Sequence, residues 1–261
     1  MVTAPPIFVE KLLALPLPLM GALVLGVWAL IAILVHRVLV PRIAGEDGSK
    51  IGRFEAEVAS QLGIVLGLLL SFNAVTVWEQ SGAAREATLA EASSLREVHE
   101  LLPDLPADQQ QPVRSALAGY LDYVIHDEWP RLGTDNPGLN KPESLRTLAH
   151  LGRASGNDDL HDAVGAAIKA RDDRIRIATS RMLPARWGIV GVLGTLALLS
   201  IGLIHAENRR GRAVAVGMVA FAIASCFLVL MAQTRPFLGS LALKPVELEQ
   251  LAASVKAEGA R

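Results

Sequence analysis

A chain of 261 residues that is 51% hydrophobic but only 5% aromatic is too apolar, and too poor in ring side chains, to read as an ordinary soluble enzyme. Its formal net charge of −1 supplies no electrostatic reason to expect nucleic acid as a partner. The one cysteine, Cys226, lies inside an apolar run and excludes a disulfide within the chain.

The first apolar run holds 24 uncharged residues, Leu12 to Val35. It is too long for a signal peptide, and bulky residues and a proline follow it instead of a small-residue cleavage site. It predicts a retained membrane span over about 19–39, opened by Pro16 and Pro18, because proline is tolerated in the first turn of a helix. A polar connection carrying Arg37, Arg42, Lys50 and Arg53 follows, with a turn at Gly45 to Ser49.

Val58 to Trp78 is the second span: 21 residues without a charge, between Glu57 and Glu79. At about 1.5 Å per residue, this length matches a hydrocarbon core of about 30 Å. Gly63, Gly67 and Ser71 recur every four residues, a small-residue row that predicts close packing against another helix. Leu68, Phe72 and Glu79 lie roughly opposite, on a face toward lipid, a neighbouring subunit or a pore. No proline interrupts Glu79 to Leu102, so the helix is expected to continue out of the bilayer.

Residues 79–186 form the one stretch long enough for a domain outside the membrane. After the extension of span two, stopped by Pro103 and Pro106, a second helix is expected over about 108–129, with Pro112 in its first turn. A loop from Thr134 to Pro142, a short helix over 143–151 and a last helix over about 160–182 complete it. Lys169, Arg171, Arg174, Arg176, Arg181 and Arg186 form a basic stretch, either an electropositive vestibule or an ordinary charged juxtamembrane helix. Spans three and four cover about 187–204 and 213–234, joined by the hairpin HAENRRGR. Gly188, Gly191 and Gly194 mark a packing face on the third. Trp78 and Trp187 bracket the domain where interfacial tryptophans are expected. A tail, 235–261, is helical over about 246–256.

The fold class is therefore all-α: a four-span helical membrane protein, with a transmembrane pair in 1–78, a helical extramembrane domain in 79–186 and a second pair in 187–234. His99, His126, His150 and His161 are scattered over the domain without an HxxxH or HExxH pair, so no metal site is expected. No Walker loop and no GxSxG elbow is present, so no catalytic residues, no cofactor and no enzyme activity are expected.

Four segments resemble one family: GLLLSF (Gly67 to Phe72), EASSLREV (Glu91 to Val98), YVIHDEWPRL with Glu128, Trp129 and Pro130, and RPFLGSLALKPVEL with Arg235, Pro236, Phe237 and Gly239. Together with the two-plus-two layout they make the chain similar to the bacterial bestrophin-like membrane proteins, and more distantly to bestrophin anion channels. The resemblance implies a homo-oligomer in the lipid bilayer, multi-pass in a bacterial inner membrane, passing small anions along span two. Bestrophins line the pore there with apolar residues one turn apart, matched here by Leu68 and Phe72; Thr76 stands where an aromatic is expected, and Glu79 ends the row. The alternative is a non-conducting scaffold or sensor whose helical domain binds a partner. Seven Lys and Arg in the two short loops favour a cytoplasmic side for the loops, whereas the resemblance places the domain in the cytoplasm.

Overall fold

The computed structural model describes residues 15–45, 49–50, 54–134, 140–180 and 184–259. The protein is 84% helical, with no strand among the described residues. Among the described residues, four helices are long and apolar enough to cross a membrane. The chain divides into two compact units: residues 1–78 with 181–234, and residues 79–180 with 235–261.

In the first unit, α1 (Leu17–Ala44) begins behind Pro16 with a proline in its first turn, and runs several residues past the expected end. Five of its residues, Val35–Leu39, form a π-helical turn. The reason is visible in burial: Val35 and Val40 are both fully buried, although five residues apart in a regular helix would be about 140° apart. Gly202 lies against both; a Cβ there would come within 2.7 Å of Val40 and 3.3 Å of Val35. Helices α6 (Pro184–Ile204) and α7 (Arg209–Gln233) complete the set. Asn208 caps α7, its side chain accepting from the Gly211 amide at 3.0 Å. Met20, Val24, Trp28 and Ala32 of α1 pack with Val216, Ala220, Ile223 and Ala224 of α7 and Ala197 and Leu198 of α6. Of the three glycines expected to mark a packing face on span three, Gly194 alone does so, lying against Trp28. A Cβ at Gly188 or Gly191 meets nothing within 4 Å.

Helix α2 (Ala56–Glu100) is continuous over 45 residues and contributes its first half to this unit and its second half to the next. Gly82 does not break it.

The second unit is a helical domain with a leucine-rich core. After a short turn at Leu102–Asp104, α3 (Ala107–Tyr123) passes into a π-helical turn, Val124–Glu128, and a tight turn, Trp129–Arg131. Pro112 is the sixth residue of α3, not in the first turn as expected, because the helix starts directly behind Pro106. Helices α4 (Glu143–Ala154), α5 (Asp158–Thr179) and α8 (Val246–Gly259) follow. The α5 start lies two residues ahead of the expected one, since Asn157 caps it by accepting from the Leu160 amide at 3.0 Å. Leu95, Leu117, Leu121, Leu145, Leu148, Leu160, Leu248 and Leu251 fill the core. The tail is thus not separate from the domain: α8 contributes Leu248, Leu251 and Val255 to that core.

Candidate functional site

The first half of α2 buries the least of the four spans. Of its most apolar window 11% of residues are buried, against 33–39% in the others. Leu66, Asn73 and Val77 form the stripe it turns inward, with Leu69 partly covered beside them. Asn73 is satisfied within the helix, its side-chain amide donating to the Leu69 carbonyl at 2.9 Å. At about 100° per residue, Gly63, Gly67 and Ser71 lie on one flank of that stripe, and Leu68, Phe72 and Glu79 on the other. Both flanks are exposed: Leu68 is 55% and Phe72 68% accessible, and a Cβ at Gly63 or Gly67 would meet no atom within 4 Å. Among the described residues, the small-residue row therefore faces open space, with Gly63 and Gly67 uncovered and Ser71 exposed. Ser71 and Thr76 donate back to the carbonyls of Gly67 and Phe72, each at 2.9 Å, which satisfies both hydroxyls without a second helix.

The second unit brings three of the four motif segments, all but GLLLSF, together around a buried charge cluster. Glu91 of α2, Glu128 at the end of the π-helical turn, and Arg171 and Arg174 of α5 are all fully buried. Arg174 donates from Nε to Glu91 Oε2 at 2.6 Å, and from Nη2 to Glu91 Oε1 at 3.1 Å and Glu128 Oε1 at 2.7 Å. Arg171 donates from Nε to Glu128 Oε2 at 2.9 Å, pairs with it again through Nη2, and reaches the Asn140 carbonyl at 3.2 Å. The Tyr120 hydroxyl donates to Glu91 Oε1 at 2.6 Å. Two carboxylates face two guanidinium groups, so the charges cancel locally, the condition under which buried ions are tolerated.

Burial, and then the Glu91 carboxylate, push the Tyr120 phenol well above its ordinary range. Burial, the largest single influence, lowers the Arg174 guanidinium pKa, but Glu91, Tyr120 and Glu128 together outweigh it and hold it above normal. The sign follows for both: a folded pKa above the unfolded one stabilises fully below the ordinary value and is lost only as pH climbs past it. Neither group weakens the cluster around neutral pH.

Trp129 connects the cluster to the C-terminal segment. The Arg174 guanidinium lies over its ring at 5.1 Å, its indole N–H donates to the Leu243 carbonyl at 3.0 Å, and its ring meets Phe237 edge-on at 5.5 Å. Arg235 donates to the Gly133 carbonyl at 3.1 Å. Gly133 is needed there, because a Cβ would lie 2.9 Å from the Phe237 carbonyl oxygen. Pro130 is exposed in the turn, and Gly239 adopts φ +90°, reversing the segment beyond Phe237.

The sequence reading of the basic stretch needs correction. Arg171 and Arg174 face neither a vestibule nor the membrane surface but the core, while Arg176 is exposed and paired with Asp173 at 3.0 Å; Arg181 lies outside the described residues. The domain histidines do not converge on a common ligand set: His99 pairs with Glu258 at 3.2 Å and His126 with Asp122 at 3.4 Å.

With this geometry in hand, the comparisons with known proteins are specific. Two variant crystal structures of a bacterial bestrophin homologue from Klebsiella pneumoniae share the fold at 14% identity and TM-score 0.66. One covers 89% of this chain and 94% of its own, the other 92% and 99%. A crystal structure of a membrane protein, 15% identical, gives TM-score 0.67 over 91% of this chain and 99% of its own. No curated protein matches the chain. The bestrophin-like domain matches residues 22–248, from the first span to the start of α8 and across all four motif segments, and the chain belongs to that bestrophin-like family.

Proposed function

We propose that this membrane protein assembles as a homo-oligomer around α2 and passes small anions, with Leu68 and Phe72 forming an apolar neck above Thr76 and Glu79. The observation that carries the reading is the sparse burial of α2 beside the better-covered α1, α6 and α7. A helix with one narrow stripe on its own chain, one flank of small residues and one of bulky apolar residues suits a position at a ring axis. Neighbouring subunits would then meet along Gly63, Gly67 and Ser71. Four spans with so few charges cannot enclose an aqueous path alone, so conduction requires several subunits. The family supports the same reading and, with it, a multi-pass location in a bacterial inner membrane.

A ring of Phe72 side chains would exclude water, because nothing in it replaces an ion's hydration shell. Phe72→Ala should widen and wet the ring and raise halide flux in reconstituted vesicles. Each lowering of the barrier by about 1.4 kcal/mol raises the rate about tenfold. Phe72 is largely exposed on its own chain, so the change should leave the subunit's stability nearly intact. Unchanged flux from a stable Phe72→Ala oligomer would favour the non-conducting scaffold instead.

Assembly is tested separately. Gly67→Leu adds bulk where the subunit itself has open space, so helicity should persist while the oligomer falls apart in detergent. Leu69→Ala, on the half-covered inward side, should perturb assembly less. An intact oligomer mass for Gly67→Leu would remove this flank from the interface.

A further inference from the structure

Between α1 and α7 the first unit leaves an apolar groove of about 610 Å³, within the size range of ligand sites. Small residues open it: Ala29 and Ala32 on α1, Gly217 and Ala220 on α7, with Trp28 and Phe221 in its walls. Along α1 it extends from Leu25 to Arg37, about 18 Å at 1.5 Å per residue, close to the roughly 15 Å depth of one leaflet's hydrocarbon. One end is polar and cationic. His36 and Arg37 line it there, and Arg209 and Arg210, both exposed, precede Ala213 by about one turn at the start of α7. Arg212 lies in the same turn, buried, donating to His36 at 3.2 Å and to the Ala206 carbonyl at 3.3 Å. Glu207 is the nearest acidic residue in that hairpin, one carboxylate against several guanidinium groups.

We propose that this groove is a specific site for an anionic phospholipid, its acyl chain lying along Ala29, Ala32, Gly217 and Ala220 and its phosphate held at Arg37, Arg209 and Arg210. An acyl chain is the occupant that an apolar slot opening into lipid selects, and the cationic end discriminates by headgroup charge. The amino end of a 25-residue helix at the same point adds a favourable dipole. The site is independent of whether α2 lines a pore.

The test uses the full chain in neutral detergent, titrated with dioleoylphosphatidylglycerol or dioleoylphosphatidylcholine, with bound lipid per subunit counted by native mass spectrometry. Phosphatidylglycerol should be retained by the unaltered protein and phosphatidylcholine lost. Gly217→Leu fills the groove without meeting any protein atom within 4 Å of its Cβ, so the fold should survive. Displacing about two methylenes of the chain should weaken phosphatidylglycerol binding roughly tenfold. Gly26→Leu, on an exposed part of α1 outside the groove, is the control and should bind like the parent. Arg37→Gln should weaken phosphatidylglycerol roughly fivefold and leave phosphatidylcholine unaffected. The proposal is overturned if the parent retains both lipids equally, if Gly217→Leu and Gly26→Leu behave alike, or if Arg37→Gln leaves phosphatidylglycerol unchanged. A lowered oligomer mass for Gly217→Leu would assign the groove to a second copy of the chain and equally overturn it.

Discussion

Arg174→Met should be among the most damaging single substitutions in the second unit, lowering its stability by about 3–5 kcal/mol. The size comes from what is left behind. Arg174 contributes three hydrogen bonds to two carboxylates. Without it Glu91 keeps the Tyr120 hydroxyl at 2.6 Å, and an uncompensated negative charge remains in the core. Removing both partners tests whether charge imbalance or lost volume is responsible. The double variant Glu91→Met with Arg174→Met leaves the Glu128–Arg171 pair intact and restores neutrality, so most of the thermal stability should return. If the double variant melts as low as Arg174→Met alone, the loss arises from packing and the ionic account fails.

Trp129→Ala is expected to release the C-terminal segment. The ring stacks edge-on with Phe237, donates to the Leu243 carbonyl and lies beneath the Arg174 guanidinium. Truncating a buried aromatic of this size costs roughly 3–5 kcal/mol, and here the loss falls on the contacts that dock residues 235–259. Limited proteolysis should then cut near Leu241 to Pro245 well before the parent protein is cut. Trp129→Phe keeps a ring against Phe237 but leaves the Leu243 carbonyl without its donor, which costs about 1–3 kcal/mol. The order of susceptibility should be alanine, then phenylalanine, then parent. Equal resistance of all three would mean that α8, through Leu248, Leu251 and Val255, holds the tail without help from Trp129.

The charge cluster is partly legible in the sequence, as a spacing pattern. Along α5 the buried stripe runs Leu160, Val164, Ala167, Arg171, Arg174, Ala178, and along α2 it runs Ala84, Thr88, Glu91, Leu95, Val98. In each helix a charge occupies a place that the three- and four-residue spacing reserves for apolar side chains. Val113, Leu117, Tyr120 and Val124 lead to Glu128 in the same way. Opposite charges on the inward stripes of different helices mark a buried pair. The arginines of residues 169–186 are a run only in sequence; around the helix they separate, Arg171 and Arg174 inward and Arg176 outward.

What the sequence determined by itself depends on near neighbours. The proline opening of the first span, the continuity of α2 past Trp78 and the all-helical class follow from uninterrupted runs along the chain, and need no knowledge of packing. The tertiary structure decided what depends on distant partners. Two guanidinium groups can lie in a core only where two carboxylates, 46 and 83 residues away from Arg174, arrive at the same point. The π-helical turn at Val35–Leu39 exists because Val35 and Val40 must both face Gly202. The Gly63–Gly67–Ser71 row looked outward for the same reason, since the inward side of α2 was set by the helices it met. A periodic row shows that two residues share a face, but which face is inward is a property of the assembled helices.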